Sequence, residues 1–251
     1  MNPLIVANWK MQLSDVDAVA TAQQLAPAGW AADVEVVLCP TFTSLACIAE
    51  ILRGSSVTLG AQDCAWQERG ALTGDVSPVD LVSIGCRYVI IGHSERRQHL
   101  GESDTIVGKK LHAAIRAGLC PILCVGERFE ERAEGKREAV LMRELEVLRG
   151  LSLVGSQRLC VAYEPMWAIG TGHAAVPSDA AQAHAFICDT VREIAGGAVA
   201  DRLRVLYGGS VSPTNIAAFL AERLVHGVLV GTASQTAEGL RSIVTASSHS
   251  R

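Results

Sequence analysis

The sequence contains no run of basic residues. Its 22 Lys and Arg are outnumbered by 26 Asp and Glu, for a net charge of −4. A sequence-independent grip on nucleic acid needs a basic face, so no nucleic-acid partner is expected. No window approaches 18 uninterrupted apolar residues, so no transmembrane helix and no membrane partner are expected. The first eight residues, MNPLIVAN, hold too short an apolar stretch for a signal peptide and carry no basic n-region, which makes a cytoplasmic location the expectation. Cysteine is too sparse for a secreted disulfide scaffold: eight residues, at 39, 47, 64, 86, 120, 124, 160 and 188. No pair makes C-x-x-C, and none has a His at zinc-ligand spacing. Cys39, Cys120, Cys124 and Cys160 lie inside apolar runs, where a free thiol acts as a small hydrophobe, so buried reduced thiols are expected. Linkers and low-complexity tracts are missing too, and the two halves have the same composition.

What is present is a large apolar content, 49 % of 251 residues. That is enough to bury a sizeable core and excludes intrinsic disorder. Short apolar runs alternate with longer amphipathic ones. Strands are predicted at 4–8, 35–39, 57–61, 88–92, 121–125, 159–163, 204–207 and 225–230. Each reads as near-continuous hydrophobe, the pattern of a parallel strand buried on both faces. Helices are predicted at 16–25, 45–53, 78–84, 104–117, 129–148, 178–195, 213–221 and 237–245. In 104–117 the apolar residues recur every three or four positions, and Gly118 is placed to end the helix in the left-handed conformation. Ser178-Asp179 after Pro177 reads as an N-cap, and Ser212 as a cap with Pro213 at the first helical position. An open doubly wound sheet of this size usually carries G-x-G-x-x-G after its first strand, or a P-loop, and neither occurs. Eight strand–helix units in 251 residues fit one α/β domain over 1–251, a single-domain (β/α)8 barrel whose last few residues form a loose tail.

In such a barrel the chemistry sits at the C-terminal ends of the strands. The first strand ends in Asn8-Trp9-Lys10, the fourth in Gly92-His93-Ser94-Glu95, the sixth in Glu164-Pro165. The seventh and eighth end in the Gly-rich turns Gly208-Gly209-Ser210 and Gly231-Thr232. Each residue alone is ordinary; together they make a set. A carboxylate base, an imidazole that can donate to a carbonyl oxygen, and an ammonium that stabilises developing negative charge serve proton abstraction beside a carbonyl. Gly-rich turns after strands seven and eight are the recurring phosphate cradle of this fold. The substrate expected is therefore a small phosphorylated sugar. The connection after Glu164 is about thirteen residues long. It pairs a bulky entry, Pro165-Met166-Trp167, with a small-residue centre, as a moving lid would.

These residues carry a resemblance. Asn8-Trp9-Lys10-Met11, Gly92-His93-Ser94-Glu95-Arg96-Arg97, Cys124-Val125-Gly126-Glu127, the stretch from Tyr163 through Glu164 to Gly172, and Tyr207-Gly208-Gly209-Ser210-Val211 closely resemble the triosephosphate isomerases. The likeness runs from Val6 to about Ser234, in order and at the family's separations. It implies the TIM barrel and interconversion of dihydroxyacetone phosphate and glyceraldehyde 3-phosphate through an enediolate. It also implies Glu164 as proton shuttle and His93 as neutral electrophile, kept so by a helix starting near Ser94. Lys10 and Asn8 would act on the substrate oxygens, with Glu95 beside Lys10. Backbone N–H groups of Gly170, Ser210, Gly231 and Thr232 would hold phosphate. No metal and no organic cofactor is implied. A homodimer is implied, through the arm from Gln62 to Pro78.

The sequence departs from the family's pattern at a few points. Gly231-Thr232 replaces a Gly-Gly pair, and a positive φ at 232 would strain a β-branched residue by about 1–3 kcal/mol. His226 stands where an Asp commonly precedes the strand-eight Gly; Asp75 and Gln12 replace Glu and Asn. With Thr232 in the phosphate turn, an isomerase for a larger sugar, a tetrulose phosphate, is the alternative reading.

Overall fold

The computed structural model describes residues 2–27, 29–30, 33–168 and 175–248. Eight parallel strands close into a barrel in sequence order: β1 (Leu4–Asn8), β2 (Glu35–Cys39), β3 (Thr58–Ala61), β4 (Tyr88–Ile91), β5 (Cys120–Val125), β6 (Leu159–Tyr163), β7 (Leu203–Tyr207) and β8 (Gly227–Val230). Closure is made by β1 against β8, with Leu4 opposite Gly227 and Ala7 opposite Val230. Gly227 has to be glycine: a Cβ there would stand 2.1 Å from the Leu4 carbonyl oxygen.

Alternate strand residues feed two cores, because successive side chains point to opposite faces. Leu4, Val6, Val37, Ile90, Ile122 and Leu206 belong to the cluster inside the barrel. Ile5, Ala7, Val36, Leu38, Val89 and Leu123 belong to the cluster beneath the helices. Both faces are buried, which is why the strands read as unbroken hydrophobe.

The helices are α1 (Asp15–Leu25), α2 (Phe42–Ile51), α3 (Pro78–Ile84), α4 (Ser94–His99), α5 (Asp104–Ala117) and α6 (Phe129–Ala133). Then follow α7 (Arg137–Leu145), α8 (Pro177–Ala195), α9 (Gly197–Ala200), α10 (Ile216–Leu220) and α11 (Ala237–Ser248). Helices α3 and α5 have the predicted bounds, and Gly118 ends α5 at φ 95°. Others correct the sequence reading. The single helix expected at 129–148 is two, parted at Gly135, whose φ of 68° a right-handed helix cannot contain. At α8 the helix begins on Pro177, with Val176 as cap, so Ser178 lies inside it. Pro213 is outside α10; residues 213–215 form a turn in which Asn215 Oδ1 accepts from the Ser212 N–H. Helix α4 begins at Ser94, where the resemblance implied a helix, although the apolar pattern of the sequence gave no sign of one. The eight cysteines are free; of the four expected to be buried in apolar runs Cys39, Cys124 and Cys160 are, while Cys120 is half-buried, and Cys64 and Cys86 are buried as well, with Cys47 exposed.

Candidate active site

The C-terminal ends of β1, β4, β6, β7 and β8 surround a cavity of about 390 Å3 whose walls include Asn8, Lys10, His93, Glu164, Ser210 and Thr232. Gly231 lines it as well. Each of these positions was read from the sequence as a site residue, and the fold gathers them. Glu95 sits at the rim, bound to Lys10. Gly170 and the centre of the expected lid, 169–174, lie outside the described residues.

Glu164 follows β6 directly and is 2 % exposed. Two glycines make room for it. A Cβ on Gly126 would lie 1.8 Å from the Glu164 carbonyl oxygen, and one on Gly208 would lie 2.9 Å from its Cγ. Its carboxylate accepts from the Ser94 backbone N–H (2.9 Å) and faces His93 Nε2 at 3.2 Å. Ser94 opens α4, so the carboxylate rests where backbone donors point outward. Cys124, fully buried nearby, is held far above the usual thiol range by burial, then by the Glu164 charge. It is a neutral, fully buried neighbour of the Glu164 side chain.

His93 is the N-cap of α4, and its Nδ1 accepts from the Glu95 backbone N–H at 3.3 Å. Glu95 Oε2 approaches Nδ1 only to 3.6 Å, too far for a hydrogen bond. The backbone donor therefore decides the tautomer, and the ring proton is assigned to Nε2. That places an N–H donor at the wall of the cavity, beside the carboxylate.

Lys10 has φ 52°, the sole non-glycine with positive φ among the described residues. Such a backbone persists only where its surroundings over-determine it. Its N–H donates to Asn8 Oδ1 at 3.1 Å, and its carbonyl accepts from Gln62 Nε2 at 2.8 Å. Gln62 also donates to the Cys39 carbonyl at 3.0 Å, tying the turn to β2. The ammonium lies 2.6 Å from Glu95 Oε1. Burial acts to raise the Glu95 pKa, but the hydrogen bond from Lys10 and its charge outweigh it and hold the carboxyl below its ordinary value.

The turn after β8 is built without strain at Thr232, since its φ is not positive. Gly231 has φ −91° and ψ −110° and caps a 3-10 turn, Thr232–Ser234. The turn is pinned by Trp9, whose Nε1 donates to the Ser234 carbonyl at 2.9 Å, and by Ser234 Oγ to Gly231 O at 2.7 Å. A Cβ on Gly209 would strike the Tyr207 hydroxyl at 2.2 Å. That hydroxyl accepts from the Ala175 N–H at 3.1 Å, at the far end of the 169–174 segment. At the near end, Trp167 Nε1 donates to Glu127 Oε1 at 2.9 Å, and Arg132 stacks over the indole at 4.5 Å. His226, the departure before β8, has an ordinary job: its Nδ1 accepts from the Val205 N–H at 3.0 Å.

Sequence reasoning missed the supports. Arg97 Nε donates to the Gly92 carbonyl at 2.8 Å and its Nη1 pairs with Asp104 at 2.5 Å, fixing the end of β4. Lys110, on the apolar face of α5, is 2 % exposed and pairs with Asp63 at 2.6 Å and with Glu102. Arg96 joins the same carboxylates at 2.9 and 2.7 Å. The only signal in the sequence was a lysine falling in a helical apolar stripe.

Residues 3–247 match the family model described as triosephosphate isomerase. Among curated relatives, the triosephosphate isomerase of Thermoanaerobacter sp. is 44 % identical over 243 residues, covering 96 % of this chain and 98 % of that one. That of Moorella thermoacetica is 47 % identical over 243 residues, 96 % and 97 % of the two chains. That of Syntrophotalea carbinolica is 45 % identical over 244 residues, 96 % and 97 %.

Proposed function

The chain belongs to the triosephosphate isomerase family, and from that premise we propose that Glu164, His93 and Lys10 divide the chemistry of its cavity among them. The enzyme is an aldose–ketose isomerase that interconverts dihydroxyacetone phosphate and D-glyceraldehyde 3-phosphate. Tetrulose phosphate is not the favoured substrate, since the relatives matched at this identity carry the triose name.

Glu164 takes the proton from C1 of the ketose, and the C–H electron pair becomes the C1–C2 double bond of the enediolate. His93 Nε2–H donates to the C2 oxygen as its negative charge grows, and Lys10 stabilises that charge and the phosphate dianion. Glu164 then returns the proton at C2, while His93, having passed its Nε2 proton to the C2 oxygen, takes the proton of the C1 hydroxyl, so that the aldehyde at C1, the hydroxyl at C2 and the neutral imidazole form together. Triosephosphate isomerases are themselves the reference case for a carboxylate base working with a neutral imidazole. The observation that carries the assignment is the 3.2 Å approach of Glu164 to His93 Nε2 at the cavity wall. Among the described residues no other carboxylate lines that cavity. Asn8 orients the substrate oxygen and Glu95 holds Lys10. Phosphate is bound by backbone N–H groups of Ser210, Gly231 and Thr232, and of Gly170 in the lid.

The test is Glu164→Asp, which withdraws the carboxylate by one methylene. A misplacement of about an ångström costs roughly 10²-fold in turnover. Binding of a phosphate-bearing inhibitor should be unchanged. Near-normal turnover in this variant would remove Glu164 from the role.

We also propose a homodimer through the arm from Gln62 to Pro78. Support comes from Met11, beside Lys10, which is 91 % exposed, and Leu100, 63 % exposed; a partner arm docking near Lys10 would cover apolar surface of this kind. A monomer in sedimentation at micromolar concentration would end that proposal. No helix of the described residues is long and apolar enough to cross a membrane; the cytoplasm is the compartment we propose.

A further inference from the structure

A second cavity, about 360 Å3, opens at the other end of the barrel from His93. Its walls are the turn ahead of β6, Gly155 to Arg158, and the residues that lead into β7, Asp201 to Arg204. Three of the seven wall residues are arginines, in a protein of net charge −4. This concentration of one sign is local, and the arginines' partners do not account for it.

Arg158 is exposed and makes no hydrogen bond or ion pair among the described residues. Arg202 Nη1 donates to the carbonyls of Gly155 (2.8 Å) and Leu153 (3.4 Å), which fixes the guanidinium against the turn. Carbonyls do not neutralise it, and among the described residues Arg202 has no carboxylate within ion-pair range. Arg204 is 3 % exposed and pairs with one carboxylate, Glu35, at 2.6 Å. Its Nε is buried without an acceptor, an arrangement native proteins leave in only a few places. The one acid in the wall, Asp201, is engaged by Arg192 at 2.8 Å. The Ser156 hydroxyl, also in the wall, has no partner among the described residues.

We propose that this cavity binds a small multiply charged oxyanion, a phosphate or phosphomonoester group, between Arg158 and Arg202 with Ser156 as a further donor. Planar guanidinium forks match the oxygens of a phosphate and bind it in pairs. Arg204 lines the same cavity with its charge balanced by Glu35 and its buried Nε without an acceptor. The cavity has room for a phosphorylated small molecule, and the acidic surface elsewhere disfavours a nucleic-acid backbone. The site is independent of the reaction, since none of its residues lines the catalytic cavity.

The experiment must separate this site from the catalytic one. The enzyme is first saturated with 2-phosphoglycolate, a phosphate-bearing carboxylate analogue of the enediolate. Inorganic pyrophosphate is then titrated at constant ionic strength while the backbone amide resonances are followed. Saturable shifts are expected at Gly155, Ser156 and Asp201, with Gly208 and Gly231 still. Arg158→Glu should weaken this binding at least tenfold, and Arg202→Gln at least fivefold. Arg158 holds up nothing in the fold, so the first variant should remain native, and both should keep kcat/KM within twofold. Shifts that do not saturate, or an affinity untouched by Arg158→Glu, would overturn the proposal.

Discussion

The two ends of the barrel each hold a buried charge, and they treat it differently. At the floor, Arg204 meets a carboxylate directly: Nη1 lies 2.6 Å from Glu35, Nη2 donates to the Asn2 carbonyl, and the Tyr88 hydroxyl donates to Glu35 at 2.5 Å. At the mouth, Glu164 meets no lysine or arginine among the described residues. It is held by the Ser94 N–H and by His93. Lys10, the nearby cation, is turned to Glu95 instead. A charge paired with its opposite is quiet, and serves to plug the barrel. A charge solvated by neutral dipoles is stabilised enough to be buried, yet remains free to take a proton. The same closed sheet thus presents a structural end and a reactive end, and the difference lies in what faces each charge.

That contrast can be tested by removing charges one at a time. The largest effect is expected from Lys10→Met, which keeps the apolar stem and deletes the ammonium. Loss of one group that stabilises an oxyanion costs roughly 10²–10³-fold, about 2.7–4 kcal/mol of barrier. The decline should appear in both KM and kcat if Lys10 acts, as proposed, on both the phosphate and the reacting oxygen. Thermal stability should hardly move, since Lys10 is partly exposed and its partner Glu95 is at the rim. Steady-state kinetics beside a melting curve would decide this. A variant that melts early while keeping its kinetics would make the mouth a structural end as well.

Arg204→Met should do the reverse. Breaking a fully buried pair costs about 3–5 kcal/mol. Glu35 is 32 % exposed, which solvent screening discounts, so about 2–3 kcal/mol is expected, or roughly 4–12 °C in Tm for a chain of this size. kcat/KM should stay within twofold. A pH series sharpens the point. Burial acts to raise the Glu35 pKa, but the Tyr88 and Arg204 hydrogen bonds win and lower it from 4.5. A depressed carboxylate contributes stability that is complete above its unfolded pKa and is lost as pH falls through the folded one. The stability gap between wild type and Glu35→Gln should therefore be widest near pH 7 and close below about pH 4. Chemical denaturation at several pH values measures it; a gap that widens with acid would mean Glu35 is not held ionised by Arg204.

The mouth was far more legible than the floor, for a physical reason. Function places polar residues where a strand meets a turn, and Lys10, His93 and Glu164 each interrupt the sequence just after an apolar run. Arg204 sits inside such a run, Leu-Arg-Val-Leu-Tyr, where pattern alone says only that one strand residue is charged. Its partner Glu35 opens β2, 169 positions away, and nothing local links the two. The strands were legible because burial on both faces forces continuous hydrophobe. Helix α4 was not, because its six residues, Ser-Glu-Arg-Arg-Gln-His, have no apolar stripe. It exists because His93 caps it and because Arg96 and Arg97 are bound by carboxylates from elsewhere. The split at Gly135 was hidden by charged residues that suit a long helix and a turn equally well.

The smallest effect is expected from Thr232→Gly, and it bears on how much the mouth depends on side chains. A phosphate cradle made of backbone N–H groups works whatever side chain is attached. Thr232 starts the 3-10 turn that Trp9 and Ser234 pin, and its own φ is not positive. Glycine therefore relieves no strain there, and the pinned turn should keep its course. What the variant removes is the whole side chain, a Cβ with its methyl and hydroxyl, at the cavity wall. Turnover of the triose phosphates should change within roughly tenfold, about 1.4 kcal/mol. If instead Thr232 shapes the cavity for a longer sugar, the glycine variant would gain triose phosphate activity by well over tenfold and lose a tetrulose phosphate. Measuring kcat/KM of both proteins on both substrates separates these outcomes. A reciprocal swing would show that a single side chain sets substrate choice at the reactive end, and that the backbone cradle alone does not.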